Sequence, residues 1–280
     1  MTAQQLHALD LGGVRLYWLD GGGFRLDGGA MFGPVPRPRW IAEYPPADDN
    51  TVPLTAHVVL VEDGRSWGLL DSGFGHHLSD RQRRFYSLER ATHLDQGLAE
   101  LGLAASRIDW VVLSHLHLDH AGGIVSDDAP AFPNARVWVQ QLEAQESRDT
   151  SNRAHGVYSG EAFDRLTALG LTHEVDGEAE LTEHVRVHLT GGHSRGHQAA
   201  VVQGTQAALL YLGDVLVTSA HLPPAWVSAM DDYPLDTIRA KREWLGRAAQ
   251  SAWWVAFSHD VRHTAARLDA NGRAAELRST

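Results

Sequence analysis

IDWVVLSHLHLDHAGG, residues 108–123, decides the reading of this chain: an apolar, β-branched run predicts a buried strand, and four metal-competent side chains follow it within six positions. His115 and His117 are separated by one residue and leave an extended backbone on the same side, so both reach one metal ion. A turn then changes that direction, and Asp119 and His120 emerge where a carboxylate and an imidazole serve a second ion. Ala121-Gly122-Gly123 permits close backbone passage into the next element. One histidine at a strand end is usually a packed or solvated polar residue, but HxHxDH directly after a buried strand is not a core pattern.

Outward from this motif the chain alternates strands and helices. Residues 54–62 (LTAHVVLVE) and 66–71 (SWGLLD) flank a DG turn and predict a hairpin, and 79–102 is mostly helical in pattern. Further strands are expected at 135–139, 185–189, 199–203, 207–212 and 253–258, with helices at 141–148, 160–168 and 236–249. Polar, metal-competent residues recur just after strands end, the arrangement of a layered α/β protein whose site is built from loops. The beginning is different. After a short strand at 14–19, GGGFRLDGGAMFGPVPRPRW and then EYPPADDN are too rich in glycine and proline for a regular helix, yet carry Phe24, Met31, Phe32 and Trp40. This stretch reads as an apolar arm over about 21–50, packed along the core or overhanging a pocket, on one domain spanning 1–280.

Composition removes several function classes. With 280 residues and 43% hydrophobic side chains the chain builds a full core without staples, and the absence of Cys rules out disulfides and thiolate-held zinc. Twenty-four Lys+Arg against 35 Asp+Glu leave a net charge of −11, which repels nucleic-acid phosphates and anionic lipid. The longest basic cluster, 81–84, is too short to reverse that, so neither a nucleic-acid nor a membrane partner is expected. No stretch approaches the roughly 20 apolar residues of a membrane span. The opening MTAQQLHALDLGG has neither a basic start nor an apolar h-region, so a cytoplasmic location is expected.

HLHLDHAGG resembles the signature of the metallo-β-lactamase superfamily, and the rest of that pattern is found in order between residues 54 and 260. The resemblance implies a four-layer αββα sandwich with its active site at the strand ends between the two sheets. It matches His197 to the second histidine of the PGHTPGH-like loop, here TGGHSRGH, and leaves His193 as a loop residue supporting the ligands. It matches Asp214, closing LLYLGD, to the bridging carboxylate, and His259, in WWVAFSHD, to the last ligand. Asp71, in LLDSG, matches an aspartate that braces the ligand loop by hydrogen bonds. His115, His117 and His197 would then hold one divalent ion and Asp119, His120 and His259 the other, with Asp214 between them. Zinc suits these donors, and manganese, iron or cobalt also fit. A hydroxide bridging two such ions is a nucleophile at neutral pH, and by the same resemblance Asp119 is the catalytic residue that steers it and returns a proton to the leaving oxygen.

The branch is read from elsewhere. A cysteine commonly replaces the bridging carboxylate in the true β-lactamases, and this chain has none. LDGGAMFGPVPRPRW followed by YP is similar to a segment of the YtnP-like quorum-quenching lactonases, which are near the methyl parathion hydrolases. The implied substrate is a neutral N-acyl homoserine lactone, with an organophosphate triester or a broad range of esters as the alternative and a non-hydrolytic metal or redox protein further off. Met31, Phe32, Trp40, Phe74, Phe85, Tyr86, His221 and Trp226 are the expected pocket residues, Met31 and Phe32 foremost, and the apolar arm also suits a homodimer interface. Some lactonases of the family carry a tyrosine three residues after the bridging aspartate. Val217 stands there in this chain, and His221, Tyr158 or Tyr233 are the substitutes considered for stabilising the oxyanion.

Overall fold

The computed structural model describes residues 8–280, so part of the segment read above for a leader, residues 1–7, lies outside the described residues. In chain order the strands are β1 (Leu9–Asp10), β2 (Arg15–Asp27), β3 (Thr51–Glu62), β4 (Trp67–Leu70), β5 (Trp110–Val112), β6 (Val125–Ser126), β7 (Ala129–Pro130), β8 (Arg136–Gln140) and β9 (Thr172–Val175). They continue with β10 (Glu178–Thr182), β11 (Val185–Leu189), β12 (Gln198–Gln203), β13 (Ala208–Tyr211), β14 (Trp254–Ala256), β15 (His263–Leu268) and β16 (Ala274–Ser279). The helices are α1 (Gly28–Phe32), α2 (Arg37–Glu43), α3 (Asp80–Phe85), α4 (Leu94–Glu100), α5 (Leu118–Ala121), α6 (Gln141–Glu146), α7 (Gly160–Ala168) and α8 (Pro234–Gln250).

One sheet is ordered β1-β2-β3-β4-β5-β8-β9 and the other β10-β11-β12-β13-β14-β15-β16, with β6 and β7 as a separate hairpin. Strands β4, β5, β8 and β9 run parallel, as do β13 and β14, and the remaining pairs of the two large sheets are antiparallel.

Period-two burial explains the layering. In β3, Val59 and Val61 enter a core shared with Val187, Val202 and Leu209 of the second sheet, while Val58 and Leu60 face Leu98, Phe163 and Leu166 of α4 and α7. In β12 and β13, Ala200, Val202 and Leu209 face the first sheet, and Ala199, Val201 and Leu210 pack on Ala240, Trp244 and Leu245 of α8. Helix, sheet, sheet and helix therefore stack as the expected αββα sandwich. Among the described residues no helix is long and apolar enough to cross a membrane.

Two expectations are corrected. The glycine-rich start of the supposed arm is strand: β2 continues through GGGFRLD to Asp27, paired with β3, with a bulge between Asp20 and Gly23. Glycine is needed there because a Cβ on Gly21 would lie 2.7 Å from the Ala56 carbonyl oxygen and 2.8 Å from Gly73 Cα. Beyond it, the Asp27 side chain accepts from Ala30 N at 2.9 Å and starts α1, and α2 follows with proline in its first turn. Residues 79–102 are likewise two short helices, because the intervening backbone pairs with β2 instead of continuing the helix: Arg25 N donates to the Tyr86 carbonyl and Gly23 N to that of Arg90, both at 3.0 Å.

Candidate metal centre

Beyond β5, His115 and His117 follow on the loop and α5 carries Asp119 and His120. The second sheet supplies the rest: His193 from the loop after β11, Asp214 after β13 and His259 after β14. His115 Nε2 lies 3.0 Å from His117 Nδ1, which lies 3.1 Å from His193 Nε2. These three buried donors lie within 4.8 Å of one another, and Asp119, His120, Asp214 and His259 form a second buried group equally close. Asp214 joins the two: Oδ1 is 3.1 Å from His120 Nε2 and 2.9 Å from His259 Nε2, while Oδ2 is 3.5 Å from His193 Nε2.

The far nitrogens aim the rings. His120 Nδ1 donates to Asp71 Oδ2 at 2.7 Å, His259 Nδ1 to the Thr55 carbonyl at 3.0 Å and His193 Nδ1 to Asp231 Oδ1 at 2.9 Å. Each Nε2 lone pair is thereby turned inward. Asp71 also accepts from Ser114 N at 2.6 Å, Ser114 Oγ at 2.8 Å and the Tyr211 hydroxyl at 2.5 Å, so it holds the loop and the His120 ring together. Glu143, which the sequence did not single out, spans the other group: Oε1 accepts from Leu116 N at 2.9 Å and Oε2 from Ser194 Oγ at 2.6 Å. Burial pushes its carboxyl up to about 7 against those two hydrogen bonds.

The electrostatics favour a cation. Burial holds His115 and His117 well below the usual imidazole range, and neighbouring imidazoles push them the same way. Burial also opposes charge on His120 and His193, but Asp214 with Asp119 and Asp71 around the first, and Asp214 with Asp231 around the second, outweigh it and raise both. Although burial opposes its charge, Asp214 stays well below the carboxylate range because His259 and His120 face it. Lone pairs of neutral nitrogens brought this close repel unless a positive charge lies between them. Imidazole and carboxylate donors without thiolate fit zinc and similar divalent ions.

The geometry reverses the expected roles of two histidines. His197 stands outside both groups: its carbonyl accepts from Thr190 N and Gly191 N at 2.9 and 3.0 Å, and its Nδ1 pairs with Thr190 Oγ1 at 2.7 Å, closing the loop. His193 sits farther out in that loop, past Gly192, whose φ of +98° and missing Cβ let the chain pass Thr237 of α8. The loop's second histidine therefore secures its base and the first enters the centre.

A cleft of about 480 Å³ opens over these groups, with His117, Asp119, His193 and Asp214 at its floor. Leu26, Phe85, Tyr86, Val157 and Met230 make an apolar wall, and Arg81 and Arg153 also line it.

A sequence model described as the metallo-beta-lactamase superfamily matches residues 51–270. The chain belongs to the metallo-β-lactamase superfamily. Among relatives in this superfamily, N-acyl homoserine lactonase AttM of Azorhizobium caulinodans is 30% identical over 169 residues, 57% of this chain and 61% of that protein. An N-acyl homoserine lactonase of Bacillus cereus is 27% identical over 116 residues, 41% of each chain. This chain thus spans less than two thirds of the length of either. Among solved structures, a probable metal-dependent hydrolase from Staphylococcus aureus matches with a TM-score of 0.91 at 29% identity, over 97% of this chain and 99% of that one. AidC, a dizinc quorum-quenching lactonase in complex with a product, matches with a TM-score of 0.78 at 19% identity over 98% and 96%, a likeness of fold.

The expected pocket needs correction within this metallo-β-lactamase frame. Of the eight expected residues only Phe85, 54% exposed, and Tyr86 line the cleft. Met31, Phe32 and Trp40 are buried in a cluster beside it, where Phe32 stacks on Trp40 at 5.0 Å and on His221 at 4.7 Å, with Trp226 edge-on at 6.1 Å. His221 Nε2 donates to the Met31 carbonyl at 3.0 Å, and burial brings its ring down to about 4, so it is a neutral core histidine. The phenols of Tyr158 and Tyr233 both turn to Glu146, at 3.5 and 3.4 Å. Leu26, Val157, Met230, Asp231 and Glu143 carried no sequence signal, because single apolar or acidic residues in loops have no spacing to read.

Proposed function

We propose that this protein is a dinuclear metal-dependent hydrolase that opens the lactone ring of N-acyl homoserine lactones. His115, His117 and His193 would hold one ion, Asp119, His120 and His259 the other, and Asp214 would bridge them. The observation that carries the reading is Asp214, one carboxylate with an oxygen on each of two buried donor groups at the floor of an apolar-walled cleft. The lactonase names of the relatives support the substrate class.

A bound pair of divalent ions supplies Lewis acidity for the attacked carbonyl and lowers the pKa of coordinated water to about 7. The chain's own residues do the rest. Leu26, Phe85, Val157 and Met230 offer an apolar surface for an acyl tail. Asp71, Asp231 and the Thr55 carbonyl keep His120, His193 and His259 aimed. Asp119 directs Oδ2 toward His259 and His120, at 3.4 and 3.7 Å, which leaves Oδ1 to carry a proton between the incoming water and the ring oxygen.

The test is kcat/KM of zinc-loaded protein on N-hexanoyl and N-decanoyl homoserine lactones beside a neutral phosphotriester. A lactone preference that disappears on chelation and returns with zinc is expected. Preference for the phosphotriester would keep the centre and overturn the substrate.

A further inference from the structure

Val217 leaves the centre without the tyrosine that follows the bridging aspartate in some lactonases, and the three substitutes read from the sequence all turn elsewhere. One phenol does reach the floor of the cleft. Tyr86 is only 4% exposed, and its hydroxyl donates to Asp119 Oδ1 at 3.4 Å. This is long for an O–H···O bond, as such bonds often are before a substrate fills the site.

The ring is held on three sides: Phe24 at 5.8 Å, Phe74 at 4.8 Å and Phe85 at 5.1 Å all meet it edge to face. Its backbone is held too, with Tyr86 N donating to the Gln82 carbonyl and the Tyr86 carbonyl accepting from Arg25 N, each at 3.0 Å. The phenol therefore approaches Asp119 from a fixed direction.

We propose that Tyr86 is the positioning residue of the reaction, its hydroxyl holding Asp119 Oδ1 toward the cleft while Oδ2 stays with His120 and His259. This rests on the hydrolase reading above and deepens it. Ester hydrolysis breaks the acyl C–O bond, joins the hydroxyl of water to the acyl carbon and leaves one proton that must reach the departing oxygen. Asp119 Oδ1 carries that proton, and the Tyr86 hydrogen bond sets where it is carried. The demand is greatest for an alkoxide, such as the ring oxygen of a lactone, and slight for a leaving group already stable as an anion.

Tyr86→Phe keeps the ring and removes one oxygen. On zinc-loaded protein it should lower kcat by about tenfold or more on N-hexanoyl homoserine lactone and on ethyl butyrate. KM should stay within about twofold, and p-nitrophenyl butyrate should lose less than about twofold in kcat, since its leaving group needs no proton. Tyr233→Phe, which removes a phenol bonded to Glu146, should leave all three unchanged. Equal losses on alkyl and aryl esters would overturn the proposal. A second readout needs no turnover. In a cobalt titration followed by visible absorption, Tyr86→Phe should weaken one of the two equivalents bound by several-fold and leave the other alone, because Asp119 belongs to only one donor group. A titration superimposable on that of the unsubstituted protein would overturn it. Silence of the unsubstituted protein on the lactone with turnover of simple esters would refute the substrate, with the leaving-group comparison still deciding Tyr86. Silence on every ester would refute the hydrolase reading, with the cobalt titration still deciding it.

Discussion

At the residue scale, two histidines four positions apart in one loop have opposite duties. His193→Ala removes a donor that touches both His117 and Asp214, so elemental analysis should find one ion lost from the first group. His197→Ala instead removes the ring nitrogen paired with Thr190 Oγ1 and should lower thermal stability with much less effect on metal content; the reverse result would restore His197 as the ligand. Asp119→Asn preserves size and one acceptor oxygen but removes the proton carrier. The fold should be retained and kcat should fall by about 100-fold or more, and near-normal turnover would refute the role. The contiguous HxHxDH motif was legible because local backbone geometry sets the direction of residues two and five positions apart. Glu143 and Asp231 were not, because each reaches the centre from a different segment, and Tyr86 was legible as a pocket residue but not as a partner of Asp119.

At the scale of elements, α1 and α2 bury Phe32 between Trp40 and His221 instead of opening it to the cleft. Phe32→Ala should therefore cost about 3–5 kcal/mol of stability, read as a fall in Tm, with no change in the ratio of kcat/KM for long and short acyl chains. A changed ratio would make the cluster part of the pocket after all. Helix α8 carries Lys241, wholly buried, with Nζ donating to the Pro223 and Trp226 carbonyls at 3.1 and 2.6 Å. Burial brings its amine down to about 7 from an ordinary 10.5, against a weak opposing pull from Asp231. Between those two values the unfolded chain holds the proton and the folded chain does not, so stability contributed through this group rises with pH, by up to about 1.4 kcal/mol per pH unit. Denaturant melts between pH 7 and 10 should show a shallower rise in Lys241→Met than in the unsubstituted protein; parallel slopes would mean that the amine keeps its ordinary affinity for the proton.

At the scale of the molecule, the donors come from both sheets: His115, His117, Asp119 and His120 follow β5, while His193, Asp214 and His259 follow β11, β13 and β14. Divalent ions bound there would pin one sheet to the other. Zinc added to chelated protein at about a thousand times its Kd should stabilise the fold by about 4 kcal/mol and raise Tm by roughly 10 °C; an unchanged Tm in calorimetry would show that the two groups hold no ion in the folded state. The layered architecture was legible from strands whose alternate residues are all apolar, since Val58 to Val61 and Ala199 to Val202 have to find cover on two faces. The sequence by itself thus determined a layered α/β protein and the ligands contiguous in the HxHxDH motif, because both follow from periodicity over a few residues, while the four-layer sandwich was implied by the resemblance that this motif carries. Only the tertiary structure decided that GGGFRLD is a strand, that Phe32 packs inward, and that His193 instead of His197 enters the centre. Those outcomes depend on partners from distant segments, Ala56 and Gly73 against Gly21, His221 against Phe32, Asp231 against His193, and no local spacing records which distant side chain will be there.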